Sequence, residues 1–532
     1  MNKIATYLNE HLIGEATSAK TIRKKYSTDG SVLTLTPELV VFPALTNDVR
    51  KVARFTWQLA ESGHAIGITV QGTGADTTGA AIGRGVLIRT SLHLNQILNF
   101  IPKDRLIHVQ PGVRVETIQD VLKWHGLTLS NIAPEEYSVT VAGVLANNTL
   151  KNGSTLAQSV EKMEVILANG DVIETRRMSK HEVGRKLGLQ TFEGEIYRKI
   201  SGLIEDNEAA IADIAQDKVP DNTGYRGIAT VRGKDGSIDL TPLFIGSQGT
   251  LGIISEVVLK AGFYSKETSA ALILAESRES ARDIADSLMT LQPSQLRILD
   301  GALVNRARAH GRQLSLLSDD DVTGTLVIVK FDDINDRARA NKLKRLQKAV
   351  DKMGIGMVDT TEHALEEFEQ LDRLIASTQR MDGDDKAVLP IISGVFVPAD
   401  RREEFFAASD ELAEKQHVEL PVAIDVLSGT IDALPYLKLS SVGDKQKIFR
   451  LINEYAALVV KHNGSFVAGD AEGRLKANAA WALLDEAETA LHEGVREIFD
   501  PFGTMNPGVK QKADIRTIVS SLRTSYDASD LL

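Results

Sequence analysis

The chain has 532 residues, 43% of them hydrophobic and 25% charged, with a formal net charge of -11 and no cysteine. That length implies two or three domains with sizeable cores. An acidic balance without a basic tail argues against nucleic acid as a partner, and the lack of cysteine excludes disulfides, iron–sulfur clusters and a cysteinyl cofactor link.

The opening "MNKIATYLNEHLIGEATSAK" has no apolar h-region of a secretory signal. From about residue 36, short strands alternate with helices. "LVVFP" (39–43) reads as a strand, and "TNDVRKVARFTWQLAESG" (46–63) as a helix opened by a Thr or Asn cap and stopped at Gly63. A strand over 65–70 runs into "QGTGADTTGAAIGRG" (71–85), and another begins at Val86. "LIHVQPG" (106–112) reads as a strand, "RVETIQDVLKWHG" (114–126) as a helix, and "VEKMEVILANGDVIET" (160–175) as a hairpin turning at Asn169-Gly170. "LFIGSQGTLGIISEVVLKAG" (243–262) reads as two strands around a second glycine-rich loop.

Beyond about residue 263 the rhythm changes. Strands over 269–277 and 323–333 each lead into a long helical stretch, which suggests a separate α+β domain with an antiparallel sheet. The basic stretch "NDRARANKLKRLQKAV" (335–350) keeps apolar residues at helical spacing and reads as a solvated helix face. "AVLPIISGVFV" (387–397) is too short to span a membrane and reads as a buried strand. "EGVREIFDPFGTMNPGVK" (493–510) ends a helix against Asp-Pro and then turns twice.

A diphosphate needs several backbone N–H groups converging on one anion, and glycine allows that approach at no steric cost. Gly72, Gly74 and Gly79, with Thr73, Thr77 and Thr78, meet the need. They do not form the dinucleotide fingerprint: the third glycine would fall at Thr77, and the loop leads to a strand rather than a helix. "APEEYSVTVAGVLANN" (133–148) and "IGSQGTLGII" (245–254) are similar in composition. Three such loops, each read as following a strand, point to one cradle or to three tight corners of a crowded sheet.

The order of these motifs resembles the flavoproteins of the vanillyl-alcohol oxidase / p-cresol methylhydroxylase superfamily. It is most similar to the branch holding D-lactate dehydrogenase, D-2-hydroxyglutarate dehydrogenase and the FAD subunit of glycolate oxidase. The resemblance runs through "YSTDGS" (26–31), "VQGTGADTTGA" (70–80), "VTVAGVLANN" (139–148), "FIGSQGTLGIISEVVLK" (244–260) and "FDPFGTMNPG" (499–508). It implies an α+β chain in three parts. A two-part FAD-binding domain of the p-cresol methylhydroxylase type covers 1–262 (core about 36–262), an antiparallel-sheet cap or substrate domain covers 263–492, and a C-terminal segment, 493–532, returns to the first. The implied FAD contacts are Gln71, Gly72, Thr73, Gly74, Ala75, Asp76, Thr77 and Thr78, then Pro134, Thr140, Gly143 and Asn147, and finally Gln248, Gly252, Ile253 and Asn506. The first loop has neither His nor Cys, so the flavin is expected to be non-covalent.

In that branch, two histidines seven apart and a Glu-His pair carry the chemistry, and in several members a divalent metal polarises the substrate. Here Asp425 and Asp432 stand at the histidine positions, Gly469 and Asp470 replace Glu-His, and Ile392 stands where a lysine is implied. Asp425 and Asp432 are candidate metal ligands, Asp470 and Glu472 candidate bases, and Arg380 and Arg474 candidate anion holders; the alternative is a set of solvated charges. The resemblance implies hydride transfer from a small hydroxylated substrate, such as a D-2-hydroxy acid like lactate, to flavin N5. Two alternatives stay open: a flavin-binding protein that acts through a partner, and a non-oxidative flavoenzyme on the same fold. The partner expected is a small-molecule substrate, and the location the cytoplasm. A homodimer and a peripheral membrane association are left open.

Overall fold

The computed structural model describes residues 2–129, 132, 136, 138–265, 267–309, 322–353, 357–358 and 386–525; Pro134 and Arg380 lie outside them. In the first sheet the strands Leu39–Phe42, Val86–Arg89 and Ile68–Gln71 run parallel, with Glu15–Thr17 antiparallel against the edge. Leu39–Phe42 is buried on both faces, which is why it reads as an unbroken apolar run. The helix Thr46–Glu61 makes one crossover and buries Val49, Val52 and Ala53. Its expected Thr or Asn cap is replaced by the buried Asp48, whose carboxylate accepts from the amides of Ile13, Gly14 and Ala44. The next parallel pair, Ile68–Gln71 and Val86–Arg89, is joined without a helix. Parallel neighbours need a crossover, and here residues 72–85 supply it as bare loop.

The second sheet is wholly antiparallel, in the order Ile97–Ile101, Leu106–Val109, Ile253–Lys260, Val160–Ile166, Val172–Thr175. The expected hairpin pairs Ile166 with Val172 across a turn in which Gly170 takes φ +82°. The stretch 243–262 departs from expectation. Thr241–Phe244 is a helical turn with Pro242 at its start, so the second glycine-rich loop follows a helix and leads into the strand Ile253–Lys260. Proline's fixed φ and missing N–H suit a first helical turn and outweigh the apolar run after it. The helix Glu486–Phe499 packs into this sheet's core through Leu491, Val495 and Phe499, so this helix near the chain's end belongs with its first half.

The third sheet has seven antiparallel strands, ordered Met357–Val358, Ser269–Ala275, Thr325–Phe331, Gln295–Asp300, Val422–Asp425, Thr430–Ala433, Ile392–Phe396. The helices Arg278–Met289 and Asp336–Met353 follow two of these strands, as the tandem pattern predicts. The basic helix buries Leu346 and Val350. Residues 387–397 divide between Ala387–Val388, paired with Tyr436–Leu437, and Ile392–Phe396. Among the described residues no helix is long and apolar enough to cross a membrane.

Candidate functional site

The loop after Gln71 keeps its main chain open. Among the described residues, the amides of Gly72, Thr73, Gly74, Ala75, Asp76 and Thr77 donate to no protein acceptor. The Thr73 hydroxyl is buried and also has no partner. Gly74 takes φ +82°, and a side chain at Gly72 would overlap the Thr140 hydroxyl, so both glycines are sterically required. Beside them the Arg89 guanidinium sits 3.7 Å from the position a Cβ at Gly74 would take. Gln71 Oε1 holds it at 2.8 Å, and Arg89 lies over the Tyr26 ring without a carboxylate partner among the described residues. Burial lowers its proton affinity. Among the described residues, consecutive free amides, an orphan hydroxyl and a half-buried cation with no carboxylate partner together fit an anion such as a diphosphate.

One hydrogen-bonded hub holds this loop open. The Asp76 carboxylate accepts from the amides of Thr78 (3.1 Å) and Ala80 (2.7 Å) and from Asn147 Nδ2 (3.1 Å). Gln248 Nε2 donates to Thr78 Oγ1 (3.0 Å) and Asn147 Oδ1 (2.8 Å), while its Oε1 accepts from the Gly473 amide (2.9 Å). Asn506 Nδ2 donates to the carbonyls of Ala80 (2.9 Å) and Gln248 (2.7 Å), and its Oδ1 accepts from Thr69 (3.0 Å). Thus the 71–80, 139–148 and 245–254 segments and Asn506 do meet, although they are far apart in sequence. Asn506 has all its polar valences taken by protein, so it clasps the site rather than reaching into it. Gly252 and Ile253 are buried where their loop rejoins the sheet, the former against Val165 and Phe244. Thr140 precedes the short helix Val141–Asn147, and among the described residues the amide of Gly143, near the Thr140 hydroxyl, has no acceptor.

Several expected roles change. Glu472 is fully buried: its Oε2 pairs with Lys510 Nζ at 2.6 Å, and its Oε1 accepts from Trp481 Nε1 (2.9 Å) and the Gly224 amide (3.0 Å). With both oxygens committed, it is a structural counter-ion and not a free base. Arg474 donates to the carbonyls of Ile82 and Pro507 and to Asn506 Oδ1, so it ties main chain together instead of waiting for substrate. Burial pulls its pKa down to about 10. Asp425 accepts from the Asn152, Leu427 and Ser428 amides and the Ser428 hydroxyl; Asp432 accepts from the Gly394 amide (2.7 Å) beside Lys151 (3.7 Å). The two carboxylates serve separate loops. No group of three or more His, Cys, Asp or Glu gathers among the described residues, so the donor set does not fit a divalent metal.

Asp470 is different. Its segment is clamped between the hub and the cap sheet: Ala471 N donates to Asn147 O (3.0 Å), Leu150 N to Gly469 O (2.8 Å) and Gly469 N to Gly394 O (2.7 Å). Yet among the described residues its own partly exposed carboxylate accepts no hydrogen bond. Burial raises its pKa, against the pull of Lys476 and Lys151. Lys476 is fully buried and donates to Ser393 O (2.7 Å) and Oγ (2.9 Å). Burial lowers its pKa, and Asp470 and Asp432 oppose that. Position 392 lacks the implied lysine, and an ammonium from another segment arrives at the adjacent residue. Arg89, Asn148 (whose buried Oδ1 has no partner), Lys151 and Lys476 escaped sequence reasoning. Only the pairing of a strand-end cation with a glycine loop could have flagged Arg89; the others depend on tertiary placement.

Residues 37–176 match the FAD binding domain, and residues 265–509 match the C-terminal domain of FAD linked oxidases. The chain therefore carries both domains of the FAD-linked oxidases. It is 23% identical to D-2-hydroxyglutarate dehydrogenase of Pantoea ananatis over 99% of this chain and 54% of that protein. It is 21% identical to glycolate oxidase subunit GlcD of Bacillus subtilis over 92% of each. The chain spans about half the length of the D-2-hydroxyglutarate dehydrogenases of Pantoea ananatis and Escherichia coli. Among solved structures, p-cresol methylhydroxylase with substrate bound aligns with a TM-score of 0.69 at 14% identity over 96% of both chains. Alkyldihydroxyacetonephosphate synthase gives 0.67 at 12% identity, over 95% of this chain and 85% of that one. The fold is of the p-cresol methylhydroxylase type.

Arg89→Met and Gly72→Val should each lower the flavin-to-protein absorbance ratio after gel filtration, with circular dichroism unchanged; full flavin content would remove these residues from the cradle. Glu472→Gln should cost about 3–5 kcal/mol in denaturant unfolding, because it strands a buried ammonium. The double change Glu472→Leu/Lys510→Met should recover most of that loss. Asp29 lies under the same loop, accepting from the Ser31 and Ala81 amides. Its pKa is pushed up to about 7, first by burial and then by Asp76. A carboxyl raised in the folded state stabilises the fold while protonated, and that contribution fades as pH rises through the folded pKa. The melting temperature relative to Asp29→Asn should therefore fall from about pH 5 to about pH 8; a flat difference would discard the assignment.

Proposed function

We propose that this chain, pairing an FAD binding domain with the C-terminal domain of FAD-linked oxidases, oxidises a small 2-hydroxy acid with non-covalent FAD. The observation that carries the reading is Asp470, an uncommitted carboxylate between the open amide loop and the cap sheet. The names of the relatives, D-2-hydroxyglutarate dehydrogenase and glycolate oxidase subunit, support the substrate class. The first loop offers no His or Cys for a covalent flavin.

Bound flavin supplies the two-electron acceptor for the hydride leaving the substrate's hydroxyl-bearing carbon. The remaining work falls to side chains. Asp470 takes the hydroxyl proton as the carbonyl forms, and its raised proton affinity suits a base working nearer neutrality than an ordinary carboxylate. Lys151, partly exposed beside Asp432, adds positive charge for an anionic substrate. Lys476, wholly buried, acts through its field on Asp470 and holds the strand at Ser393. Among the described residues, positive charge at Asp470 thus comes from two ammonium groups, Lys151 from the FAD-binding side and Lys476 from the cap.

A panel of 2-hydroxy acids, including D-2-hydroxyglutarate, glycolate and D-lactate, tests the reading by anaerobic bleaching of the flavin absorbance. Failure of every member to bleach it would overturn the reading. Asp470→Asn should lower kcat by about 10²–10⁴-fold with flavin content intact. In the wild type, kcat/KM should fall on the acid side at a pH above the usual carboxylate range, and this limb should vanish in the variant.

A further inference from the structure

Away from the flavin site, three turns meet in one apolar and cationic tip. The hairpin joining Ile97–Ile101 to Leu106–Val109 brings Leu98 (41% exposed) and Ile101 (40%), followed by Pro102, Lys103, Asp104 and Arg105. The end of the helix Val115–Lys123 brings Lys123, Trp124 and His125, and Trp124 is 88% exposed. The short strand Gly262–Phe263 brings Phe263, 66% exposed, and then Tyr264. Contacts stitch the three together. Phe100 packs on His125 at 4.8 Å between ring centroids, Arg105 lies 4.9 Å over the Phe263 ring, and Lys123 lies 5.8 Å over Tyr264. Phe263 also pairs with Leu127 in a two-stranded ribbon.

We propose that this tip docks on an anionic lipid surface, with Trp124 and Phe263 entering the headgroup region and Lys103, Arg105 and Lys123 meeting phosphate. A tryptophan this exposed presents apolar surface to water and contributes nothing to the core. An indole fits a bilayer interface because its body is apolar and its N–H is polar. Among the described residues the three cations have no carboxylate partner, and Asp104 is the acid in their turn. The chain as a whole carries -11, so a tip with three cations to one acid is a place where it can approach a negative surface. The shape favours a bilayer over a protein groove: the side chains stand on turns and a helix end, which protrude, and Gly126 among them has open space around it. A peripheral contact of this kind needs no spanning segment.

The test uses the purified flavin-loaded chain with vesicles of phosphatidylglycerol and phosphatidylcholine, and with phosphatidylcholine alone. The chain has three tryptophans; Trp481 is buried, so a wild-type spectrum corrected for that of Trp124→Phe isolates position 124. Co-sedimentation with the anionic vesicles should be strong and with neutral vesicles weak, and the Trp124 emission should shift to the blue. Lys103→Glu and Lys123→Glu should each weaken binding by about five-fold or more at low salt. Trp124→Ser/Phe263→Ser should abolish the contact while leaving flavin content and bleaching by substrate unchanged. Equal sedimentation with and without anionic lipid, or binding that survives the double change, would overturn the proposal. So would concentration-dependent self-association that the double change removes, since the face would then cover a second copy of the chain.

Discussion

Six adjacent main-chain amides without partners among the described residues are an uncomfortable arrangement for a folded protein. Polar groups turned away from water seek acceptors, and a buried donor left unmade costs roughly 1–3 kcal/mol. A loop as rich in glycine as 72–79 could satisfy itself by folding inward. The hub prevents that. Asp76 fixes the far end of the loop by accepting from Thr78 and Ala80, Gln248 locks Thr78 to Asn147, and Asn506 bonds Ala80 to Gln248. Side-chain amides do this well because each presents donors and an acceptor at once. The loop is only half-buried, which moderates the penalty.

The hub requires pieces from both ends of the chain, so the C-terminal segment must come home. Asn506 has φ +43° and Lys510 φ +51°, conformations that non-glycine residues adopt only when their surroundings hold them there. Several anchors do so. Asp500 accepts from the Thr504 and Met505 amides, Arg496 donates to the Met505 and Val509 carbonyls, and Lys510 closes the Glu472 ion pair while donating to Asn222 O. Glu472 lies in a cap-side loop, so one buried pair ties cap, flavin side and chain end together. Its contribution is to placement, since a buried pair gains little over well-packed apolar residues of like volume.

Most of the fold is readable from periodicity and turn chemistry. The parallel strands, the crossover helix, the Asn-Gly hairpin and the tandem strand–helix units of the cap fall where apolar rhythm and capping put them. The misses are local. Pro242 turns an apolar run into a helical start, and Asp48 caps a helix from inside its first turn. In the site, the glycine and threonine loop is legible because close approach demands residue types that few other roles require. The fates of Glu472, Arg474, Asp425 and Asp432 are not, because a charged residue in a loop reads the same whether it meets a ligand, a carbonyl or a buried partner. Arg89 illustrates the converse: a strand-end cation gains meaning only once Gly74 and Gln71 are placed around it.

The cap charges can be ranked by what neutralises them. Asp425 is absorbed by amides, Asp432 by Gly394 and Lys151, and Glu472 by Lys510. That leaves Lys476 and Asp470, whose attraction partly offsets the burial that disfavours both charges. An incoming substrate carboxylate adds a negative charge to this balance. A like charge nearby disfavours ionised Asp470 and raises its proton affinity further, while favouring the Lys476 ammonium. In the proposed oxidation, binding an anion would therefore strengthen Asp470 as the base that accepts the hydroxyl proton. A neutral alcohol of the same size would give no such push, so in the proposed oxidation Asp470, the group that would receive the proton, gains basicity from a substrate that carries its own carboxylate.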